Sequence, residues 1–402
     1  MYAIPGSNTG VAVCVHSGDP DLGWSWTSVR SKNGVCEEMA QQLKFVDEGI
    51  ISSRPNLGAY MPGITPLADG SWIACHHTGE GLGTPDNRIE CLRSTDEVTT
   101  WINQGCIHDV VEDWAYRGPH ISTVSDQRLV LTATRFETDG LLFDTKMEAL
   151  QRPEMLLFWS KDQGKTWSRP QVVPNNLPVD RYTVNGAGIL LQLSHDRWMY
   201  PLETWKPEGH VGPPDQKAAA LFSSDSGRSW GEFTVVANDQ SGGKLWWDQM
   251  CTLLPDGSVY TMLWTHLYCT SEDLNNHWTI SEDMGQTWPK PLPTNLRGQV
   301  CTPVALPNGM VAAIYNHCRE PQGIRVALSE DLKNYDTEIT VFDAGAEAAL
   351  GKPENDNFLA EHMQIAFGKP GGVCLPNGDL LTYFWCTRSG ITHTRWVRLA
   401  WS

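Results

Sequence analysis

Positive charge is scarce in this sequence. Its 402 residues contain 30 Lys and Arg against 47 Asp and Glu, which gives a formal net charge of −17 at pH 7. Proteins that bind nucleic acids neutralise phosphates with an extended basic surface. We therefore expect no nucleic-acid partner, although a small basic pocket is compatible with this composition.

Long apolar runs are also missing. Residues 1–30 show neither the basic start nor the apolar stretch of a signal peptide, and no run approaches the roughly 18 apolar residues that span a bilayer. We expect no membrane contact, and the oligomeric state stays open. The eleven Cys form no CxxC pair and are expected to be mostly buried free thiols. This usage favours a reducing compartment such as the cytoplasm, but a chain whose signal peptide has been removed would look the same.

No spacing typical of a metal or cofactor site is found. The adjacent pair His76 and His77, with His266 and His317, comes from three separate predicted strands, so packed or rim histidines are the expected interpretation. A bound structural ion stays open as an alternative. We expect no cofactor and no catalytic metal.

Trp is unusually frequent, with 18 residues, and much of it belongs to a repeat. Three segments share the pattern Ser-x-Asp-x-Gly-x-Thr/Ser-Trp, and weaker copies follow the same frame. The full copies are Ser160 to Trp167, Ser223 to Trp230 and Ser281 to Trp288; the weaker ones are Ser94 to Trp101, Asp19 to Trp26 and Ser329 to Tyr335. Ser and Asp side chains bind nearby backbone amides, Gly takes a positive φ, and the Trp packs between sheets. The repeat therefore predicts a structural turn rather than a catalytic one.

A second repeat lies upstream of these turns, where an apolar strand meets a tight turn and a second strand begins. The copies start at Leu67, Val124, Leu193, Leu254, Leu306 and Leu375. Asp-Gly and Asn-Gly turns of this kind join hairpin strands. Together, the inner hairpins and outer turns predict an all-β, six-bladed β-propeller of four-stranded antiparallel blades with almost no helix.

The blades are expected at 55–108, 112–176, 180–237, 243–295, 297–345 and 362–402, in one domain covering residues 1–402. The segment up to about residue 50 is expected to close the last blade. Within it, residues from Val11 predict a strand, and those from Val35 fit a short helix or another strand.

The outer turn resembles the Asp box of the sialidase superfamily, in which such boxes close the outer hairpins of propeller blades. The resemblance implies a glycan-cleaving enzyme. Active sialidases carry a Phe/Tyr-Arg-Ile-Pro motif on the first inner strand, two later Arg, a Tyr nucleophile with a Glu partner, and an Asp acid/base. This sequence departs from the pattern, because Tyr60 stands where the motif's Arg is expected and the nearest match, at Arg117, comes one blade late.

Ligand-binding residues of a propeller lie where the innermost strands converge. Candidates on these strands and just beyond them are Arg117, His120, Arg181, Trp247, Arg297 and Arg319. A group of Arg side chains suits a sugar carboxylate, because guanidinium groups bind both of its oxygens. Arg117, Arg297 and Arg319 are the best placed, with rim salt bridges as the alternative.

Glu203 and Asp248 are the candidate catalytic carboxylates. Glycosidases commonly pair one protonated acid with a second carboxylate that acts as base or nucleophile. Glu203 ends an apolar strand, where burial would raise its pKa toward the acid role. Asp248 follows two Trp, and Trp247 would stack a sugar ring; inter-blade packing of Trp247 and a buried ion pair of Glu203 are the alternatives.

A second mechanism follows if the functional residues of the sialidase pattern lie one blade later in this sequence. Tyr60 would then lie near the nucleophile position, and Lys369 or Arg388 would supply a third charge. Asp139 or Asp144 would be the acid/base.

These features predict a sialidase-like glycoside hydrolase that removes a terminal, acidic sugar from a glycan. Two alternatives stay open. One is a glycosidase of another specificity, such as an arabinanase or rhamnosidase type, and the other is a carbohydrate-binding propeller without catalysis.

Overall fold

The computed structural model describes residues 13–14, 26–27, 42–110, 112–140, 142–186, 188–211, 214–353 and 357–402. The chain divides into two compact units, Met1–Gln42 and Leu43–Ser402. In the first unit, β1 (Val13–Cys14) pairs with β2 (Trp26–Thr27) in an antiparallel ladder. The weak turn copy from Asp19 and the segment from Val35 to residue 41 lie outside the described residues, Trp26 excepted.

The second unit is a six-bladed propeller of antiparallel sheets, as the sequence predicts. Each blade is given from its innermost strand outward: blade 1 comprises β4 (Gly58–Pro66), β5 (Trp72–Gly79), β6 (Arg88–Ser94) and β7 (Ile102–Cys106), and blade 2 comprises β8 (Trp114–Thr123), β9 (Leu129–Glu137), β12 (Glu154–Ser160) and β13 (Gln171–Val172). Blade 3 comprises the interrupted strand β14 (Thr183–Gly186) with β15 (Leu191–Gln192), then β16 (Trp198–Trp205), β17 (Lys217–Ser223) and β18 (Glu232–Asn238), and blade 4 comprises β19 (Lys244–Leu253), β20 (Val259–Leu267), β21 (His277–Ser281) and β22 (Leu292–Pro293). Blade 5 comprises β23 (Cys301–Ala305), β24 (Val311–His317), β25 (Gly323–Ser329) and β26 (Thr337–Asp343), and blade 6 comprises β27 (Phe367–Cys374), β28 (Leu380–Arg388), β29 (Ile391–Trp401) and β3 (Leu43–Ser52).

The last blade takes its outermost strand from the beginning of the unit. β3 pairs antiparallel with β29, from Leu43 opposite Trp401 to Ser52 opposite Thr394. Because the two strands come from opposite ends of the unit, their ladder ties the first and last blades together.

The inner hairpins turn where the second repeat predicts. In blade 1, Leu67 N donates to Ser71 O at 2.9 Å, and in blade 4, Leu254 N donates to Ser258 O at the same distance. The divergent copy in blade 3 closes in the same way, through Leu193 N and Arg197 O.

The outer turns are held by one Asp and one Ser side chain. In blade 2, Asp162 Oδ1 accepts from Thr166 N at 2.9 Å, its Oδ2 accepts from the Thr166 hydroxyl at 2.6 Å, and Ser160 Oγ accepts from Gly164 N at 2.7 Å. The bonds from Thr166, with that from Ser160, lower the pKa of Asp162 to about 2 although burial opposes this. Gly164 has a φ of 83°, which suits glycine. These carboxylates are therefore occupied by the turn.

The hydrophobic core lies between blades. Six clusters of buried side chains join blade 1 to 2, 2 to 3, 3 to 4, 4 to 5, 5 to 6 and 6 to 1. The outer-turn indoles belong to this core, since Trp167, Trp230 and Trp288 pack against three successive clusters. Each blade is thus stabilised on both faces by its neighbours.

Among the described residues, helix occurs only in the segment between blades 5 and 6. It comprises one turn of 3₁₀ helix, Gly345–Glu347, and the short helix α1 (Phe358–His362). A small hairpin, β10 (Phe143–Asp144) with β11 (Ala149–Leu150), lies in the long loop of blade 2. Among the described residues, no helix has the length and apolar character needed to cross a membrane.

Replacing Trp230 tests whether the outer-turn indoles carry stability. Trp230 is 7% exposed, meets Tyr200 edge to face at 6.0 Å, and its Nε1 donates to Gly227 O. We expect Trp230→Ala to lower the free energy of unfolding by about 3–5 kcal/mol, because it leaves a cavity between blades 2 and 3. Denaturant unfolding measures this loss. Trp230→Phe, which keeps an aromatic ring, should lose less, and a loss under about 1 kcal/mol for the Ala variant would contradict the assignment.

Candidate active site

The innermost strands of four blades carry the same bulge. The ladder skips residues between Tyr60 and Gly63, Arg117 and His120, Trp247 and Met250, and Gly368 and Gly371. One residue inside each bulge has a left-handed backbone: Met61 at φ 50°, Gly118 at 60°, Asp248 at 46° and Lys369 at 44°. Bulges re-aim side chains, and here they bring Met61 against Arg117 and Lys369 against Asp248.

Glu203 lies near the end of β16 and is 3% exposed. Its Oε1 accepts from Trp205 Nε1 at 2.7 Å and from Asn185 Nδ2 at 3.1 Å, and its Oε2 accepts from Asp248 N at 2.8 Å. The expected alternative of a buried ion pair is not what the structure shows at Glu203. Its carboxyl group is instead fixed by three hydrogen bonds from neutral donors.

Burial raises the pKa of Glu203 to about 7, and the nearby charge of Asp248 acts in the same direction. The three hydrogen bonds partly oppose this rise. Water does not reach the group to solvate its charge, so the neutral form is favoured. Glu203 therefore has the environment of a proton donor near neutral pH.

Asp248 is bound by Lys369. The Lys369 ammonium group donates to Asp248 Oδ1 across the centre of the ring, from blade 6 to blade 4. Glu203 and Asp248 also come from neighbouring blades and are joined directly, through the backbone amide of Asp248. The two predicted carboxylates thus line one pocket, and Lys369 is bound to one of them, Asp248.

Arg117 lies in the same pocket and is 5% exposed. Its Nε donates to Leu82 O at 3.2 Å, and its guanidinium lies 4.9 Å above the centre of the Phe143 ring. Burial lowers the pKa of Arg117 to about 10, with Asp248 and Glu203 opposing this. Arg117 is thus a buried cation facing the carboxylate pair.

Trp247 lies in the pocket wall and is 8% exposed. It packs nearly parallel to Trp205 (centroids 5.4 Å apart, 9° between planes), to His266 (5.3 Å, 11°) and to Phe358 (5.3 Å, 19°). These contacts fit the alternative that Trp247 packs between blades. Stacking of Trp247 on a sugar ring stays a prediction.

The pocket is small, with a volume of about 60 Å³, and it mixes this polar centre with an apolar wall. Its lining residues are Met61, Leu82, Arg117, Phe143, Asn185, Glu203, Trp205, Trp247, Asp248, Trp264, Phe358, Leu359, His362 and Met363. Helix α1 and the β10–β11 hairpin supply part of the wall, and the Asn357 side chain donates to Thr145 O between them.

Tyr60 borders an adjoining cavity that shares Leu82, Phe143 and Met363 with the pocket. Its ring stacks on His77 at 5.2 Å, and its hydroxyl donates to Glu80 O at 3.2 Å. Burial raises the pKa of Tyr60. That shift disfavours the phenolate that a nucleophile needs, and the role of Tyr60 stays a prediction.

The remaining predicted binding residues lie away from the pocket. His120 lines a separate axial cavity with Lys369, and burial, followed by the Lys369 charge, lowers its pKa to about 3. Arg181 is on the surface and pairs with Asp215 at 2.9 Å. Arg297 and Arg319 are exposed and outside the pocket lining, so the structure does not bring the expected group of three Arg together.

Of the side chains named for the shifted-register mechanism, Lys369 binds Asp248, whereas Asp139, Asp144 and Arg388 have partners outside the pair. Asp144 caps the backbone of Lys146 at 3.0 Å, Asp139 accepts from Gln151, and Arg388 pairs with Glu347. Within the described part of the chain, no group of three or more His, Cys, Asp or Glu side chains is placed to hold a metal ion.

Four contributors were missed by sequence reasoning: Asn185, Trp205, Phe143 and the α1 segment. Asn185 pairs with Glu203 across the sheet, and Trp205 follows Glu203 by two residues on the same strand. The pairing of these two strands is therefore the feature from which both could have been predicted. Phe143 and α1 belong to long connections, whose course no local pattern indicates.

The fold and the site together define a six-bladed β-propeller with two carboxyl groups, Glu203 and Asp248, in a pocket near its centre. A family profile described as a BNR repeat-like domain matches residues 141–355, which is more than half of the chain. The chain therefore belongs to the family of BNR repeat-like domains, and its fold is that of the sialidase superfamily. A comparison with curated sequences gives no match.

Several solved structures share the fold. A protein of unknown function from Dyadobacter fermentans is 18% identical, with a TM-score of 0.71 and coverage of 90% of this chain and 99% of that one. An α-L-arabinanase from Penicillium chrysogenum, complexed with arabinobiose, is 15% identical (TM-score 0.64; 89% and 98%). An intramolecular trans-sialidase from Ruminococcus gnavus is 13% identical (TM-score 0.57; 91% and 98%). At these identities the likeness establishes the fold.

The raised pKa of Glu203 predicts a pH dependence of stability. Between its ordinary pKa of 4.5 and about 7, the folded state holds a proton that the unfolded state has lost. The free energy of unfolding should therefore fall as pH rises through this range, because the folded chain must then bury a charge. Urea unfolding at several pH values compares the parent with Glu203→Gln, which cannot ionise. An equal slope in both proteins would show that Glu203 is not the group responsible.

Proposed function

We propose that this chain is a glycoside hydrolase that uses Glu203 and Asp248. The observation that carries the proposal is that two carboxyl groups from neighbouring blades line one pocket, one of them with a pKa raised to about 7. Most glycosidases require two carboxyl groups, one protonated and the other ionised. The glycosidases among the structural neighbours support the same class of reaction.

Glu203 is the proposed general acid. It gives its proton to the glycosidic oxygen as the bond to the anomeric carbon breaks. Asp248 stabilises the positive charge that develops on the sugar, and the anomeric carbon then receives a hydroxyl group from water. Glu203 recovers a proton at the end of the cycle, so the net reaction is hydrolysis.

The proposed substrate is a terminal neutral sugar. A carboxylate-bearing sugar is best held by several Arg, whereas Arg117 is the one Arg that the described residues contribute to the pocket lining. The Lys369 ammonium group is engaged with Asp248. A neutral sugar such as arabinose, which the Penicillium neighbour's ligand contains, demands no carboxylate clamp.

An acidic sugar is the second candidate, and the buried charge of Arg117 favours it. Arg117 faces the pocket from blade 2, so it is placed to meet one substrate carboxylate. The trans-sialidase among the neighbours supports this candidate at the level of fold.

Removing the charges of the pair tests the mechanism. We expect Glu203→Gln and Asp248→Asn each to lower kcat by about 10²- to 10⁴-fold on aryl glycosides, because each keeps the shape but loses the acid or the anion. In the parent, kcat/KM should fall as pH rises above about 7, where Glu203 loses its proton. Glu208→Gln, on the exposed surface, is the control. Full activity in both pocket variants would refute the mechanism, and no cleavage of any substrate by the folded parent would favour a carbohydrate-binding protein.

A substrate panel separates the two candidates. We expect release from neutral aryl glycosides, arabinofuranosides included, and none from sialosides. Arg297→Ala should leave kcat/KM unchanged, since Arg297 lies outside the pocket. Cleavage of sialosides would instead support the acidic candidate. Arg117→Ala should then cost about 10- to 100-fold in kcat/KM on sialosides, through loss of a charge-assisted hydrogen bond.

A further inference from the structure

We propose that Lys369 is a positioning residue, whose ammonium group holds Asp248 as the charged member of the pair and leaves the proton on Glu203. The inference rests on the function proposed above and assigns a role to a third side chain of that site. It concerns which carboxyl group carries the proton, on which the direction of acid catalysis depends.

The geometry begins with the two bulges. Asp248 and Lys369 occupy the same left-handed position in blades 4 and 6, with φ of 46° and 44°. Left-handed backbone is unfavourable for non-glycine residues and persists where the surroundings hold it. Both backbones are thus turned so that an ammonium group meets a carboxylate at the centre, and Lys369 is only 8% exposed there.

The other groups facing Asp248 do not replace Lys369. Glu203 is held at the Asp248 amide, and Arg117 lies within electrostatic range but donates from Nε to Leu82 O. His362, from α1, has its pKa lowered by burial and is neutral at pH 7. Among the described residues, Lys369 is therefore the cation that binds the Asp248 carboxylate directly.

The fold itself does not need a charge at this position. Met61 fills the same bulge in blade 1, at a φ of 50°, and makes an ordinary side-chain contact with Arg117. Since an apolar residue of similar length is compatible with the bulge, the ammonium group of Lys369 is explained by its partner rather than by backbone geometry. This comparison also supplies a conservative test variant.

Lys369→Met, Lys369→Arg and the control Lys217→Met separate charge from packing. Lys217 forms a Lys–Asp pair with Asp215 away from the pocket. On a cleaved aryl glycoside, we expect Lys369→Met to lower kcat by about 10²-fold with a smaller change in KM, because Asp248 loses its fixed position. The acid limb of the pH profile should move to higher pH, and Lys369→Arg should recover much of the loss. Unchanged kcat and pH profile in Lys369→Met, with all variants melting as the parent does, would overturn the proposal.

An infrared measurement tests the same inference without turnover. Difference spectra between about pH 5 and pH 9 report carboxyl groups that lose a proton. The parent should show a protonated-carboxyl band that disappears in Glu203→Gln. In the double variant with Lys369→Met the band should return, because Asp248 then takes the proton. If the band stays absent, Lys369 does not set the charge, whether or not the parent cleaves any glycoside.

Discussion

The structure depends on the burial of each blade between two neighbours. A four-stranded sheet with two apolar faces is not stable alone in water, and the six inter-blade clusters bury both faces of every blade. The ring must therefore close, and β3 provides the closing ladder with β29. Closure also brings the inner strands of all blades to one axis, which is what allows Glu203, Asp248 and Lys369, from three blades, to meet.

The division between stabilising and reactive carboxylates follows from distance to that axis. At the outer turns, Asp162 and its counterparts accept several hydrogen bonds in contact with water, which lowers the pKa of Asp162 to about 2. Near the axis, Glu203 accepts three hydrogen bonds as well, but burial and the charge of Asp248 outweigh them and raise its pKa to about 7. The same side-chain chemistry thus yields an ionised carboxylate at the outer turn and, near the axis, a buried carboxyl group whose protonated form is favoured.

Most of the fold was predictable because its signals are local and repeated. Leu67, Val124 and their counterparts mark inner turns, and Trp230 marks an outer turn, each within a few residues of sequence. The candidate site was predictable only where a strand carried the signal. Glu203 and Asp248 line one pocket and stay candidates, whereas Arg297 and Arg319 lie in a turn or loop whose direction no local pattern sets. The resemblance to sialidases also implied an Arg cluster that this pocket does not assemble.

The sequence did contain one indication of the bulges that shape the site, in the spacing between the bulge residues and the inner turns. Met61, Gly118, Asp248 and Lys369 each stand eight positions before the Asp or Asn of their inner turn, at 69, 126, 256 and 377. This eight-residue spacing alone does not reveal a bulge, because left-handed backbone at a non-glycine residue is unfavourable and is held by tertiary contacts. In the closed ring, however, the four residues occupy equivalent positions on the innermost strands of their blades. Residue choice at these positions can then change the chemistry of the pocket while the blades stay the same, which is how Met61 and Lys369 share a backbone and differ in role.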